Sequence, residues 1–248
     1  MTGAGRVRIG TSGWSYRHWV GPFYPAGTSS ADMLDQYVEV FDTTELNNTF
    51  YNLPSRDSFI QWRDSVPEGF IFAVKANRYI THMKKLKDPA QSTPSFFDAV
   101  ASLGDRLGPV LFQLPPNMGL NLGRLRSFLE ALPDGYRYAF EFRNTSWFDD
   151  SVLDLLRRHD AALVIADMAG ETSPVHATAS LVYLRLHGPD ETAYTGCYDD
   201  DTLAAWRDRI AAWRAEGRDV YCFFDNDEAG YAALNAMTLR RMVADRAG

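Results

Sequence analysis

Eight short apolar runs, each closing on polar residues, alternate along this chain with stretches whose apolar residues recur at helical spacing. The runs cover residues 7–11, 40–46, 70–75, 110–114, 138–143, 161–166, 181–187 and 219–224. Met33, Leu34, Tyr37, Val38 and Phe41 share one helical face behind a capping Ser30, and Leu122, Leu125, Phe128, Leu129 and Leu132 share another. Helices are likewise predicted over 56–66, 96–107, 152–158, 203–213 and 229–244, whereas 168–180 has no helical stripe. Eight such units in 248 residues predict a single (β/α)8 TIM-like barrel over residues 1–248, with the helix after the sixth strand irregular or missing. A doubly wound sheet is the competing architecture. It announces its cofactor with a Gly-rich first turn, and Gly10-Thr11-Ser12-Gly13 does not match GxGxxG.

Composition narrows the classes further. With 46% hydrophobic residues the chain can fill a sizeable core. A formal net charge of -7 argues against coating nucleic acid or an anionic membrane, so any anionic partner must be met locally. Cys197 and Cys222 form no CxxC pair, which points to a reducing compartment and away from a zinc module or disulfide framework. Residues 1–8 lack the apolar run of a signal peptide, and no segment approaches the roughly 18 apolar residues of a membrane span. A cytoplasmic protein without a membrane partner is expected. Nothing in the sequence sets its oligomeric state.

A barrel gives the strand ends a meaning, because active-site groups in this fold gather at the C-terminal ends of the strands. Those ends are polar here: Glu45 and Asn47, Lys75 and Asn77, Gln113, Glu141 and Arg143, Asp167, Arg185 and His187, and Asp225 and Asn226. Strand side chains alternate faces, so Glu45 with Asn47, Glu141 with Arg143, and Arg185 with His187 share a face within each pair. Taken alone, Tyr138 to Arg143 reads as a half-buried strand with a wet charged side. The companion strand ends turn Glu141 and Arg143 inward instead.

The segments Gly10-Thr11-Ser12-Gly13-Trp14-Ser15-Tyr16, Glu45-Leu46-Asn47-Asn48-Thr49-Phe50-Tyr51, Phe72-Ala73-Val74-Lys75, Gln113-Leu114-Pro115-Pro116, Glu141-Phe142-Arg143, Arg185-Leu186-His187-Gly188 and Phe224-Asp225-Asn226 occur in this order. Together they resemble the YecE-like family of domains of unknown function, from about Val7 to Leu239. The resemblance implies a TIM-like barrel and supplies no reaction.

Function is therefore read from the residues. Lys75, Arg143 and Arg185 bring three cations to one mouth and point to a small phosphate- or carboxylate-bearing substrate. Asn47, Gln113, Asn226 and His82 are expected to line the same site. Trp14, Tyr16, Trp147, Tyr194 and Tyr198 follow strands and either stack on a ligand or pack the loops. Glu45 or Glu141 is the expected general base, His187 its partner acid, and Asp167 a further catalytic carboxylate. Metal-free acid-base chemistry by a hydrolase, lyase or isomerase is the leading expectation, and no cofactor is predicted. The minority alternative is a barrel-endonuclease-like phosphodiesterase with a divalent metal on Glu45, Glu141, Asp167 and His187. Lys84 to Lys87 beside His82 offer that enzyme a local nucleic-acid contact, which the net charge disfavours. A non-catalytic ligand-binding or scaffold protein is the third reading.

Overall fold

The seam between the first two strands sets the character of this barrel. The computed structural model describes residues 3–245. Its strands are β1 (Val7–Thr11), β2 (Thr43–Leu46), β3 (Ile71–Lys75), β4 (Leu107–Leu114), β5 (Tyr138–Phe142), β6 (Ala162–Met168), β7 (Glu171–Thr172), β8 (Leu181–Leu186) and β9 (Asp219–Phe224). They run in the order β1-β9-β8-β6-β5-β4-β3-β2 with every neighbouring pair parallel, while the two-residue β7 turns back antiparallel on β6. β1 and β2 close the barrel through a single backbone bridge, Ser12 to Glu45. Side chains replace the missing ladder there. The Tyr37 hydroxyl accepts from Thr11 N (3.0 Å) and donates to Thr43 O (3.0 Å), and Thr44 Oγ1 donates to Thr11 O (3.0 Å). The strands approach so closely that a Cβ on Gly10 would lie 2.2 Å from Thr43 O.

The helices are α1 (Met33–Val38), α2 (Asn48–Tyr51), α3 (Arg56–Asp64), α4 (Pro89–Ser92), α5 (Pro94–Val100), α6 (Leu122–Glu130), α7 (Asp150–Arg158), α8 (Asp200–Ala215) and α9 (Tyr231–Asp245). Ser55, Asn121, Asp149 and Asp199 cap α3, α6, α7 and α8 by accepting from backbone N–H groups. Ser30 does not cap α1, which starts at Met33 behind Asp32. The second strand starts later than its apolar run, because the N–H groups of Val40 and Phe41 still bond to Tyr37 O at the end of α1. As the sequence predicts, no helix follows β6. Ala169 and Gly170 turn the chain back with positive φ, and Ser173 and Thr178 then bond to the backbone of residues 161–166.

Two cores result. The larger lies between strands and helices, with Phe112, Phe128 and Phe140 in contact. The smaller fills the barrel with Ala73, Leu111, Ala139, Val164, Tyr183 and Phe223, and Lys75, Glu141 and Arg185 stand two residues further along their strands. Among the described residues no helix is long and apolar enough to cross a membrane.

Candidate active site

Register determines which side chains rise above the plug. In β5 and β4, Glu141 stands opposite Gln113 and two residues above the interior pair Ala139 and Leu111. In β8, Arg185 stands two residues above the interior Tyr183, opposite Ala166 of β6 and Phe223 of β9. Lys75 follows Ala73 on the same face of β3, and Glu45 pairs with Ala73 from β2. The chain thus directs Glu45, Lys75, Glu141 and Arg185 into one C-terminal mouth, and Asp225 joins them just beyond β9.

Arg185 is the centre of this group, with 1% of its side chain exposed. Its Nε lies 3.0 Å from Glu45 Oε2 and its Nη2 2.7 Å from Glu45 Oε1, a two-pronged contact. Nη1 reaches Glu141 Oε2 at 2.9 Å, and Nη2 also reaches Asp225 Oδ2 at 3.1 Å. Glu45 further accepts from Ser12 Oγ (2.8 Å) and from the Tyr183 hydroxyl (2.6 Å). Arg143 approaches Glu141 from the rim, Nε to Oε1 at 2.5 Å, with Met168 Sδ on its other side. His187 Nδ1 lies 3.0 Å from Asp225 Oδ2, while its Nε2 lies 3.2 Å from a guanidinium nitrogen of both Arg143 and Arg185. Two guanidinium donors at Nε2 place the ring proton on Nδ1.

These surroundings move the titrations. Burial alone would raise Glu141, but Arg143 and Arg185 reverse that and hold it well below the usual carboxylate range. Burial likewise opposes ionisation of Asp225, and Arg185 and His187 overcome it, leaving it lowered. Burial and then Arg185 push His187 down, which keeps it neutral. Burial and then the like charge of Arg185 lower Lys75 to about 8. Lys75 Nζ lies 4.5 Å above the Phe50 ring and has no ion pair among the described residues.

Several expected roles change. Arg185 is not placed to receive a substrate, since its donors are taken up by Glu45, Glu141, Asp225 and Ser12. Glu45 and Glu141 face cations and are poorly suited as general bases, and a neutral His187 is poorly suited as an acid. Asp167 lies outside the barrel, because Ala166 holds the interior register position and Asp167 pairs with the outward Leu186. Burial raises its carboxyl, beside Trp206, Thr172 and Tyr198. The proposed metal ligands thus neither converge nor leave room. Glu45, Glu141 and His187 surround the Arg185 guanidinium, and among the described residues no group of three His, Cys, Asp or Glu is arranged for a metal.

The other expected ligand contacts divide. Trp147 is fully buried, stacks on Phe142 and donates to Met118 O (2.6 Å). Tyr198 is buried against Phe224 and accepts from Gly188 N, and Asn226 is buried in bonds to Gly196 O and Asn235. Trp14 packs against Trp62 and Phe72. Tyr16 donates to Ser12 O (2.6 Å) in the loop after β1. Nearer the mouth, the Tyr194 and His187 rings stand almost perpendicular with centroids 5.4 Å apart, and the His82 and Phe50 ring centroids are 4.9 Å apart. Asn47 is half-buried after β2 with its Oδ1 buried and unbonded, and Gln113 is half-buried beside Glu141. Ser12, Tyr183 and Asp225 were not among the expected site residues. Asp225 was legible as a strand end two positions after Phe223, whereas the other two reach Glu45 across 33 and 138 residues of chain.

Arg143 also borders a cavity of about 320 Å³ lined by Phe142, Phe148, Met168, Thr172 and Ser173. Fold and site together define a parallel eight-stranded barrel protein with a buried ionic network at its C-terminal mouth. The chain belongs to the DUF72 family, described as proteins of unknown function, whose model matches residues 8–248. Among curated proteins it is 26% identical to the UPF0759 protein YecE of Escherichia coli K12, over 84% of this chain and 82% of that one. It is 28% identical to the UPF0759 protein YunF of Bacillus subtilis, over 96% and 94%. A crystal structure of a DUF72 family protein from Thermotoga maritima shares 30% identity, covers 96% of this chain and 99% of its own, and superposes with a TM-score of 0.87.

Proposed function

We propose that this barrel is an enzyme acting on a small phosphate- or carboxylate-bearing substrate, with Arg143 receiving the anion and Lys75 as the proton-transfer group. The observation that carries the reading is the unequal use of the three cations. Arg185 is consumed by three carboxylates, Arg143 gives its Nε to Glu141 alone and is 14% exposed at the rim, and Lys75 faces the mouth without a carboxylate partner. A buried network of this kind is a poor way to gain stability, since apolar residues of equal volume fill a barrel at less desolvation cost. Lys75, lowered to about 8, has a proton affinity within reach of neutrality, as a general acid or base requires. A hydrolase, lyase or isomerase fits this set. The metal-dependent phosphodiesterase reading loses support because Arg185 occupies the centre of its ligand set.

Thermal melting against phosphorylated and carboxylated metabolites tests the proposal. A ligand at 100 times its Kd stabilises by about 2.7 kcal/mol, a rise of roughly 5–10 °C for a chain of this size. Arg143→Ala should abolish that rise. Lys75→Met should abolish conversion of the ligand while a rise remains. No stabilising anion, or a rise indifferent to Arg143, would overturn the site; a ligand bound but never converted would favour the non-catalytic reading.

A further inference from the structure

Building on the anion-receiving mouth proposed above, we propose that Lys75 is a covalent catalyst that forms an imine with a small aldehyde or ketone bearing a carboxylate or phosphate. The first observation is one of usage. The chain has four lysines, at 75, 84, 85 and 87, against twenty-one arginines. Where a fixed positive charge suffices, this chain places arginine, and a guanidinium neither deprotonates nor adds to a carbonyl. Lys84 pairs with Asp88, and Lys85 donates to Asn117 O, both in the loop after β3. Lys75 alone sits on a barrel strand.

The second observation is its surroundings. Lys75 ends β3, a rigid element, with its amine against the Phe50 face from α2. The like charge of Arg185 from β8 acts on it, opposed by Glu141, Glu45 and Asp225 from β5, β2 and the end of β9, and Lys75 in turn lowers the proton affinity of His82 in the turn at Tyr79–Met83, where burial acts first. Those carboxylates are committed to Arg185 and Arg143, so none holds the ammonium form in an ion pair. A buried lysine beside a fixed cation is the arrangement that frees an amine for attack. Its lowered proton affinity agrees, leaving a sizeable free fraction near neutral pH.

The step balances without an oxidant or reductant. The neutral Nζ adds to the carbonyl carbon, forming a C–N bond, and the carbonyl oxygen takes a proton to give a carbinolamine. That oxygen then leaves as water as the C–O bond breaks, so the two Nζ protons end in the water and a C=N bond remains. Protonated, this imine is an electron sink for cleaving or deprotonating the neighbouring carbon. The surrounding carboxylates favour its positive charge.

The test uses the whole chain. Glyoxylate, pyruvate and dihydroxyacetone phosphate are each added with sodium cyanoborohydride, and the four lysines are mapped by mass spectrometry. The expected result is labelling of Lys75 at least tenfold faster than Lys84, Lys85 or Lys87 by one of these compounds. Arg143→Ala should slow it, and Lys75→Arg should lose it while keeping the wild-type melting temperature. Equal labelling of all four lysines, or labelling confined to 84–87, overturns the proposal. Inorganic phosphate separates the two ideas. If it raises the melting temperature through Arg143 while Lys75 stays unlabelled, the imine falls and the anion mouth stands; if neither occurs, both fall.

Discussion

Replacing Arg185 with leucine removes the guanidinium that Glu45, Glu141 and Asp225 share while roughly keeping side-chain bulk. Breaking a buried pair by deleting one partner costs about 3–5 kcal/mol, because the remaining charge is stranded away from water. For a chain of this length each kcal/mol moves the melting temperature by about 2–4 °C, so the expected fall is roughly 6–20 °C at pH 7. Its pH dependence is more diagnostic than its size. In the wild type, Glu141 and Asp225 are held below their unfolded values. Their contribution is therefore complete above about pH 4 and lost only as pH falls through the depressed folded values. Without Arg185, burial dominates at Asp225, while Glu141 keeps Arg143. The folded value of Asp225 then rises above its unfolded one, so the variant loses stability as pH climbs and regains it on acidification. Differential scanning calorimetry between pH 5 and 8 should show the deficit shrinking toward pH 5. A fall under 2 °C, or a deficit constant with pH, would refute the claim that Arg185 holds three buried carboxylates.

Trp147→Ala should destabilise by about 3–5 kcal/mol through lost burial and a stranded Met118 carbonyl, yet leave any anion-induced melting shift unchanged, measured side by side with wild type. Gly188→Ala forces a positive φ of 108° on alanine and sets its Cβ 2.1 Å from Thr195 O, so the loop carrying Tyr194 should become protease-sensitive; a wild-type digestion pattern would contradict this. Asp167→Asn should leave ligand response and conversion intact, and a loss of either would return that residue to the site.

Much of this was legible because strand parity is local. Glu141 with Arg143, and Arg185 with His187, are two apart, and their inward aim follows once eight units imply a closed barrel. Parity failed at Asp167 because residues 161–166 are apolar on both faces, so nothing in that run marks which side is the lumen. Aromatic residues carry no direction either. Phe140 and Phe142 face the helices while Tyr221 and Phe223 face the lumen, since both sides of a barrel strand are buried. Without that direction, residues 219–224 do not mark Asp225, rather than Asn226, as the residue that turns inward. The distribution of Arg185's donors was beyond reach, as it depends on distances across the lumen between strands far apart in sequence.

The first and second strands share one backbone bridge, and that bridge is Ser12 to Glu45. Glu45 is also gripped by Arg185, so the clasp of the barrel wall and the floor of the mouth are one residue, its backbone serving the first and its side chain the second. Lateral breathing of this joint would then change the charge balance above it, and an anion drawing Arg143 away from Glu141 would reach the joint through Arg185 in return. The amide of Thr11, bonded to a tyrosine hydroxyl instead of a strand neighbour, is the reporter for that motion. Its deuterium uptake should register occupancy of the mouth from the outside of the wall.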